Sequence, residues 1–353
     1  VGAAGGVASS ELTTGNLLGG QLTGTATAIG GIGGGGTKNG GTGGSANASI
    51  DLTGAGKVDV TANATGGEGG ISDEVGGDGG VATVGTVKGT STGGGDVTVT
   101  ANVTGGNGGR GPSFGVGAAG NGADVDLNNV VDGSTTGNLT LRQVATGGDS
   151  GVILEGTSGT AGDASSYLVR RIDGIVVPAL LFVDVEAFGG NGGFGPTSGI
   201  AASGAIADAT AIAENNEGSV RAEALAEGGD GGQGSSEASS GAGGDATASA
   251  TGLSNSAGNT VEVSGTARGG SGGDVFQGNA SDGGDATSVS TGTTTANSRV
   301  FITSQAEGGQ GGDITGSFAT GNGGSGGEAF STASGSTTGS SQISIYAEAQ
   351  GGK

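Results

Sequence analysis

The sequence predicts an all-β repeat array, either β-solenoid-like or built of stacked two-strand units, with polyproline II-like glycine-rich loops. Three observations carry this. A ten-residue pattern closing in Gly-Gly returns nine times, its diglycines beginning at residues 30, 66, 105, 147, 189, 228, 269, 308 and 351, so the spacing runs from 36 to 43 residues. A period in that range marks a repeat architecture, in which each unit buries its apolar face against its neighbours. Within each copy apolar and polar residues alternate, the rhythm of a strand with one buried face. Finally, 91 glycines, 3% aromatics and no Trp, Met, Cys or His leave no material for a thick core. Any core is thin and made of Val, Ile, Leu and Ala. A net charge of −22 with low hydrophobicity suits a disordered chain, but the strict internal pattern argues against disorder. Residues 1–353 read as a single array of nine units, with no separate globular domain.

Counted back from the diglycine, the eighth residue is Leu22, Val58, Val97, Leu139, Leu181, Val220, Val261, Val300 or Ile343. The sixth is also mostly β-branched or Leu, the fourth mostly small, and the second nearly always Ala. This segment is strand A. Its inward side chains shrink towards the diglycine, so two packed layers should converge there, where no Cβ keeps backbones apart. A second strand, B, follows each glycine-rich loop, as in Gly80–Val87, Gly244–Thr251, Gly284–Thr291 and Gly327–Ala333. Turn formers separate B from A at Thr53–Gly56, Asp132–Gly137, Glu214–Gly218 and Ser254–Gly258. The loops repeat Gly-Gly-x-Gly-Gly, the three-residue period of polyproline II, which has no internal hydrogen bonds. Such segments either bundle through their bare glycine faces or act as flexible linkers. Whether strands A stack in parallel or A and B form an antiparallel meander stays open, with identical inward columns favouring the solenoid. The fifth unit alone is rich in large apolar residues, between Ser166 and Phe188, and reads as thicker core or as a contact surface.

Chemistry is sparse. Without His or Cys the usual general bases and nucleophiles are missing, and the acids are spread over all units, so the chain reads as non-enzymatic and requires no cofactor. Acids do recur beside glycine turns, among them Asp163, Asp245, Asp274, Asp285 and Glu328. Hard oxygen ligands on tight turns suit calcium; the competing reading is an Asx-turn, with each carboxylate accepting a hydrogen bond from the loop backbone. Gly269–Gln277, reading Gly-Gly-Ser-Gly-Gly-Asp-Val-Phe-Gln, resembles the calcium-binding nonapeptide of RTX proteins, and Gly323–Ser331 is similar with Glu328 in place of Asp. The resemblance covers these two nonapeptides and implies calcium on Asp274 and Glu328. Five sequons, at Asn47, Asn63, Asn102, Asn138 and Asn279, are candidate glycosylation positions.

Three times as many acidic as basic residues, 33 against 11, argue against nucleic acid as a partner. The longest apolar run, Ile175–Val183, contains Pro178 and is far shorter than a membrane-spanning helix, so no membrane insertion is expected. The chain opens on Val1 rather than Met and is read as one whose export signal is gone. Repetition, Gly- and Ala-rich packing and an acidic surface resemble secreted glycine-rich repeat proteins of microbial surface fibres or matrix. That resemblance implies an extracellular or cell-surface structural subunit of a filament, sheath or biofilm matrix. The alternatives are an adhesin or carbohydrate-binding stalk, with extracellular polysaccharide as partner, and an ice-binding protein. The chain starts inside a glycine loop and finishes inside another, with no recognisable cap. Head-to-tail self-assembly is therefore expected, through Val1, Gly5 and Gly6 on one side and Ile343, Ile345, Ala347, Ala349, Gly351 and Gly352 on the other.

Overall fold

The computed structural model describes residues 1–113, 115–235, 237–316 and 320–353. These form a parallel β-solenoid of nine coils, with no helix among them. Each coil gives one strand to each of two facing sheets. The A sheet is unbroken: Leu22–Ile29, Val58–Thr65, Val97–Thr104, Asn138–Thr146, Leu180–Phe188, Ser219–Glu227, Thr260–Arg268, Arg299–Glu307 and Ile343–Gln350. Like stacks on like, since the register places Val58 beside Val97, Val60 beside Val99 and Ala62 beside Ala101. A slip of one residue would turn every buried side chain to solvent, which fixes that register. Parallel pairing throughout settles the choice between solenoid and meander in favour of the solenoid.

The B strands are Ala8–Asn16, Ala46–Gly54, Ala82–Ser91, the pair Val125–Asn128 and Val131–Ser134, Ala164–Ile172, Ala207–Asn215, Ala246–Ser254, Ala286–Thr294 and Ala329–Thr337. They run further than the turn chemistry suggests, taking in Gly54, Asp132–Ser134, Glu214 and Ser254. The reason lies across the core. Gly89, Gly252 and Gly292 look like turn residues but face inward, and a Cβ on them would press on Val97 and Val99, on Val263 and Val261, or on Ile302 and Val300. In the first coil the sizes are exchanged: Gly24 of the A strand lies against Leu12, Ile50 and Leu52 of the B sheet. Bulk is thus kept constant through the core while the sheet that supplies it changes, as close packing requires. In the eighth coil serines fill the space instead, with the buried Ser304 Oγ donating to Ser288 O at 3.0 Å.

The B sheet is divided in the fourth coil. Val131–Ser134 pairs back to the third coil, and Val125–Asn128 pairs forward to the fifth. Between them Asn129 has φ of +51°, a left-handed conformation that asparagine tolerates better than most residues. The bulge frees the amide of Val130, and a single side chain collects it. Gln143, in an inward column otherwise filled mostly by Ala, accepts from Val130 N at 2.7 Å and places its amide nitrogen 3.3 Å from Tyr167 O. It is completely buried. Across the gap Arg170 donates to Asp132 Oδ1 at 2.8 Å and to Gly133 O at 2.9 Å. Its Nε is the one buried side-chain nitrogen or oxygen without a partner among the described residues.

The glycine loops are ordered, and each consists of two glycine rows joined by a tip. The outgoing row, for example Gly66–Gly70, follows strand A; a return row, Gly76–Gly80, leads into the next strand B. Backbone bonds explain the three-residue rhythm. The first glycine of each triplet donates along the row to the next coil, Gly66 N to Thr104 O at 2.9 Å. The second donates across to the return row, Gly67 N to Gly44 O at 2.8 Å, and Gly80 N returns a bond to Gly67 O at 2.7 Å. At both places a Cβ would collide with a neighbouring carbonyl. The third position faces outward and admits any residue, whereas a row position takes only a small side chain in some coils, as at Ser150, Ala123 and Ala205.

The large residues of the fifth unit divide between core and surface. Leu168, Ile172, Leu181, Val183 and Val185 are buried core, whereas Ile175 and Val176 stand exposed on the turn between its strands.

Candidate functional site

The outward third positions of the loops carry the chain's most regular polar chemistry. In that position a backbone N–H points back to the preceding coil and has no ladder partner. An Asn or Asp at the same position of that coil supplies one. Asn107 Oδ1 accepts from Asp149 N at 2.9 Å, Asp149 Oδ1 from Asn191 N at 2.7 Å, Asn191 Oδ1 from Asp230 N at 2.9 Å, and Asp230 Oδ1 from Ser271 N at 2.7 Å. The result is a column of side chains locked by the coil above. Asn107 and Asn191 escaped the reading by acid residues alone; their signal is the shared third place of Gly-Gly-x.

The acids expected to hold calcium lie in the same kind of column. Asp245 Oδ1 accepts from Asp285 N at 2.8 Å and Asp285 Oδ1 from Glu328 N at 2.7 Å. Asp163 accepts from Ile206 N at 2.9 Å and Asp274 from Asp313 N at 2.8 Å. The acceptors thus serve the next coil rather than their own loop, a longer-range bond than an Asx-turn. Asp274 belongs to a different column from Asp245, Asp285 and Glu328. Among the described residues no three Asp, Glu, His or Cys side chains converge as a metal-binding group.

The sequons fall into two groups. Asn63 and Asn102 are register partners on the A sheet, and their amide nitrogens, the atoms a glycan would use, already donate to Thr27 Oγ1 at 3.3 Å and to Asn63 Oδ1 at 2.9 Å. Asn47 donates similarly to Thr83 Oγ1 at 2.9 Å. Asn138 and Asn279 are exposed and keep this nitrogen free of hydrogen bonds among the described residues.

The outer face of the A sheet changes character along the array. One column runs Thr25, Thr61, Thr100 and then Arg142, Asp184, Glu223, so the threonine run lasts three coils. Arg142 bridges Asp184 at 3.0 Å and Glu186 at 2.6 Å. Arg221 lies 4.7 Å from the centre of the Phe182 ring, a cation–π contact across coils. Burial, then the neighbouring Glu186 charge, raise the Asp184 carboxyl to about 6 against the pull of Arg142. The folded chain therefore holds this proton more tightly than the unfolded one. Stability should fall as pH rises from about 4 to about 6 and then level, by about 2 kcal/mol for this group. Asp184→Asn should remove that contribution and be more stable than the parent at pH 8, while Arg142 keeps Glu186. Urea melts of both proteins at pH 4.5 and 8 check this; an unchanged pH difference in the variant would count against it.

At the two ends of the array, outer strand edges lack a neighbour within the chain. Ile345 is 45% exposed, whereas Ile302 beside it, in the same inward column, is 2% exposed. Ile343, Ala347 and Ala349 share its edge, and Gly352 still donates to Gly327 O at 3.0 Å. At the opposite end Gly5 N donates to Thr42 O at 2.8 Å and Gly6 O accepts from Gly31 N at 2.8 Å, while Val1 is exposed. No family model, no curated protein and no solved structure matches this chain.

Proposed function

We propose that the chain is a non-catalytic structural subunit of an extracellular filament, sheath or matrix, extended by stacking the ninth coil of one copy on the first coil of the next. The observation that carries the reading is the matching register of the two outer coils. Ile343, Ile345, Ala347 and Ala349 occupy the same columns as Leu22, Gly24, Ala26 and Ala28. Their sizes also complement each other: the ninth coil has Ile345 on the A sheet over Gly335 on the B sheet, and the first has Gly24 opposite Leu12. A contact of this heterologous kind does not close and yields a filament. Exposed edge strands with unpaired backbone groups favour it.

Negative-stain microscopy of purified chain 1–353 tests it. Filaments of the solenoid's width are expected, and Ile345→Lys with Ala347→Lys should leave single rods because the new charges would be buried at the junction. Dispersed rods from the parent, or parental filaments from the double variant, would overturn the proposal.

A further inference from the structure

We infer that the groove between the A sheet and the outgoing glycine row binds a linear, uncharged polysaccharide strand lying along the solenoid axis. The groove has a volume of about 610 Å³. It reaches from the third coil to the seventh, about 19 Å at the usual strand spacing. One wall is the last outward residue of each A strand: Thr104, Thr146, Phe188, Glu227 and Arg268. The other is the locked column Asn107, Asp149, Asn191 and Asp230. Its floor is the first glycine of successive pairs, Gly147, Gly189, Gly228 and Gly269, which carry no side chain to fill it.

The ligand class follows from these walls. In the column each Oδ1 is taken by the next coil, which leaves the second polar atom of each side chain without a partner among the described residues. The free atoms therefore alternate along the groove: an amide donor on Asn107, a carboxylate acceptor on Asp149, a donor on Asn191, an acceptor on Asp230. Hydroxyl groups serve both kinds, since each donates and accepts. Because the column is already fixed by its ladder bonds, little side-chain entropy is lost on binding. Phe188, half-buried midway along the opposite wall, gives an apolar surface for the C–H face of a sugar ring. Charge selects further. Arg268 is paired with Glu227 at 2.5 Å and approaches Glu307 at 3.8 Å, so Asp149 and Asp230 leave the groove negative and unfavourable to acidic glycans. A polymer with one ring after another fits a column whose donor–acceptor pattern repeats every second coil.

The inference is independent of filament formation, since the groove lies within one chain. Isothermal titration of monodisperse protein with cellohexaose, mannohexaose and chitohexaose tests it. Saturable binding to at least one is expected. Phe188→Ala should weaken it about tenfold, and so should Asn191→Asp, which keeps the ladder acceptor for Asp230 N but exchanges the free donor for an acceptor. Phe301→Ala, on the same sheet face outside the groove, should bind like the parent. Circular dichroism melts verify that each variant folds; if Phe188→Ala does not, Asn191→Asp carries the same comparison. Absence of saturable binding to all three sugars overturns the inference. Binding that survives the groove variants undiminished, or falls equally in Phe301→Ala, does so too.

Discussion

Gln143→Ala is expected to destabilise the protein by about 2–4 kcal/mol, although Ala is the commonest residue in that column of the repeat. Two effects add. The half-buried Val130 amide, freed by the bulge at Asn129, loses its acceptor at 2.7 Å on the fully buried Gln143, which costs about 1–3 kcal/mol. The missing amide also leaves a void between the sheets, because the split B sheet is not free to collapse onto an Ala. Denaturant melts give the total, and amide exchange at Val130 gives its location. A variant as stable as the parent would mean that the repeat consensus, not the bulge, governs this position.

A methyl group within the glycine rows should cost still more. Gly270→Ala would push its Cβ into the carbonyl oxygen of Gly229. Both are backbone atoms fixed by bonds to two neighbouring rows, so no side chain can swing aside. A loss of more than about 3 kcal/mol is expected, beyond ordinary overpacking. Gly6→Ala is the control, because its Cβ position meets nothing within 4 Å; it should be neutral or slightly stabilising through the less flexible unfolded chain. Equal melting temperatures for the two variants would contradict the close-packed rows.

These two sites show how far sequence reasoning reached. Val58, Val60, Ala62 and Ala64 announced a strand with one buried face, and the structure buries all four. The same logic failed at Gln143, since a lone amide in an Ala column has meaning only beside the bulge it serves, and that bulge comes from a different part of the coil. The inward role of Gly89 and Gly252 was not legible, because what a glycine does there depends on the residue across the core, which periodicity along one strand does not reveal. The return row, although written as Gly76–Gly80 and Gly40–Gly44, was merged into a single loop. The acids next to the glycines stood out in the sequence as candidates for calcium or for an Asx-turn within their own loop. The partner of each, an amide about 40 residues away, could not be found without the stacking register.

The divided B sheet has a mechanical consequence. Along the A face nine strands and their hydrogen bonds run without interruption, so that face resists stretching evenly. On the B face the fourth and fifth coils are joined over half their width by side chains, chiefly Arg170 reaching to Asp132 and Gly133. A bending force that places the B face on the outside of the curve therefore opens the rod at this level first, while the opposite curvature meets full stiffness. If copies stack end on end, each contributes one such compliant joint, and the fibre gains a preferred direction of curvature that recurs once per chain.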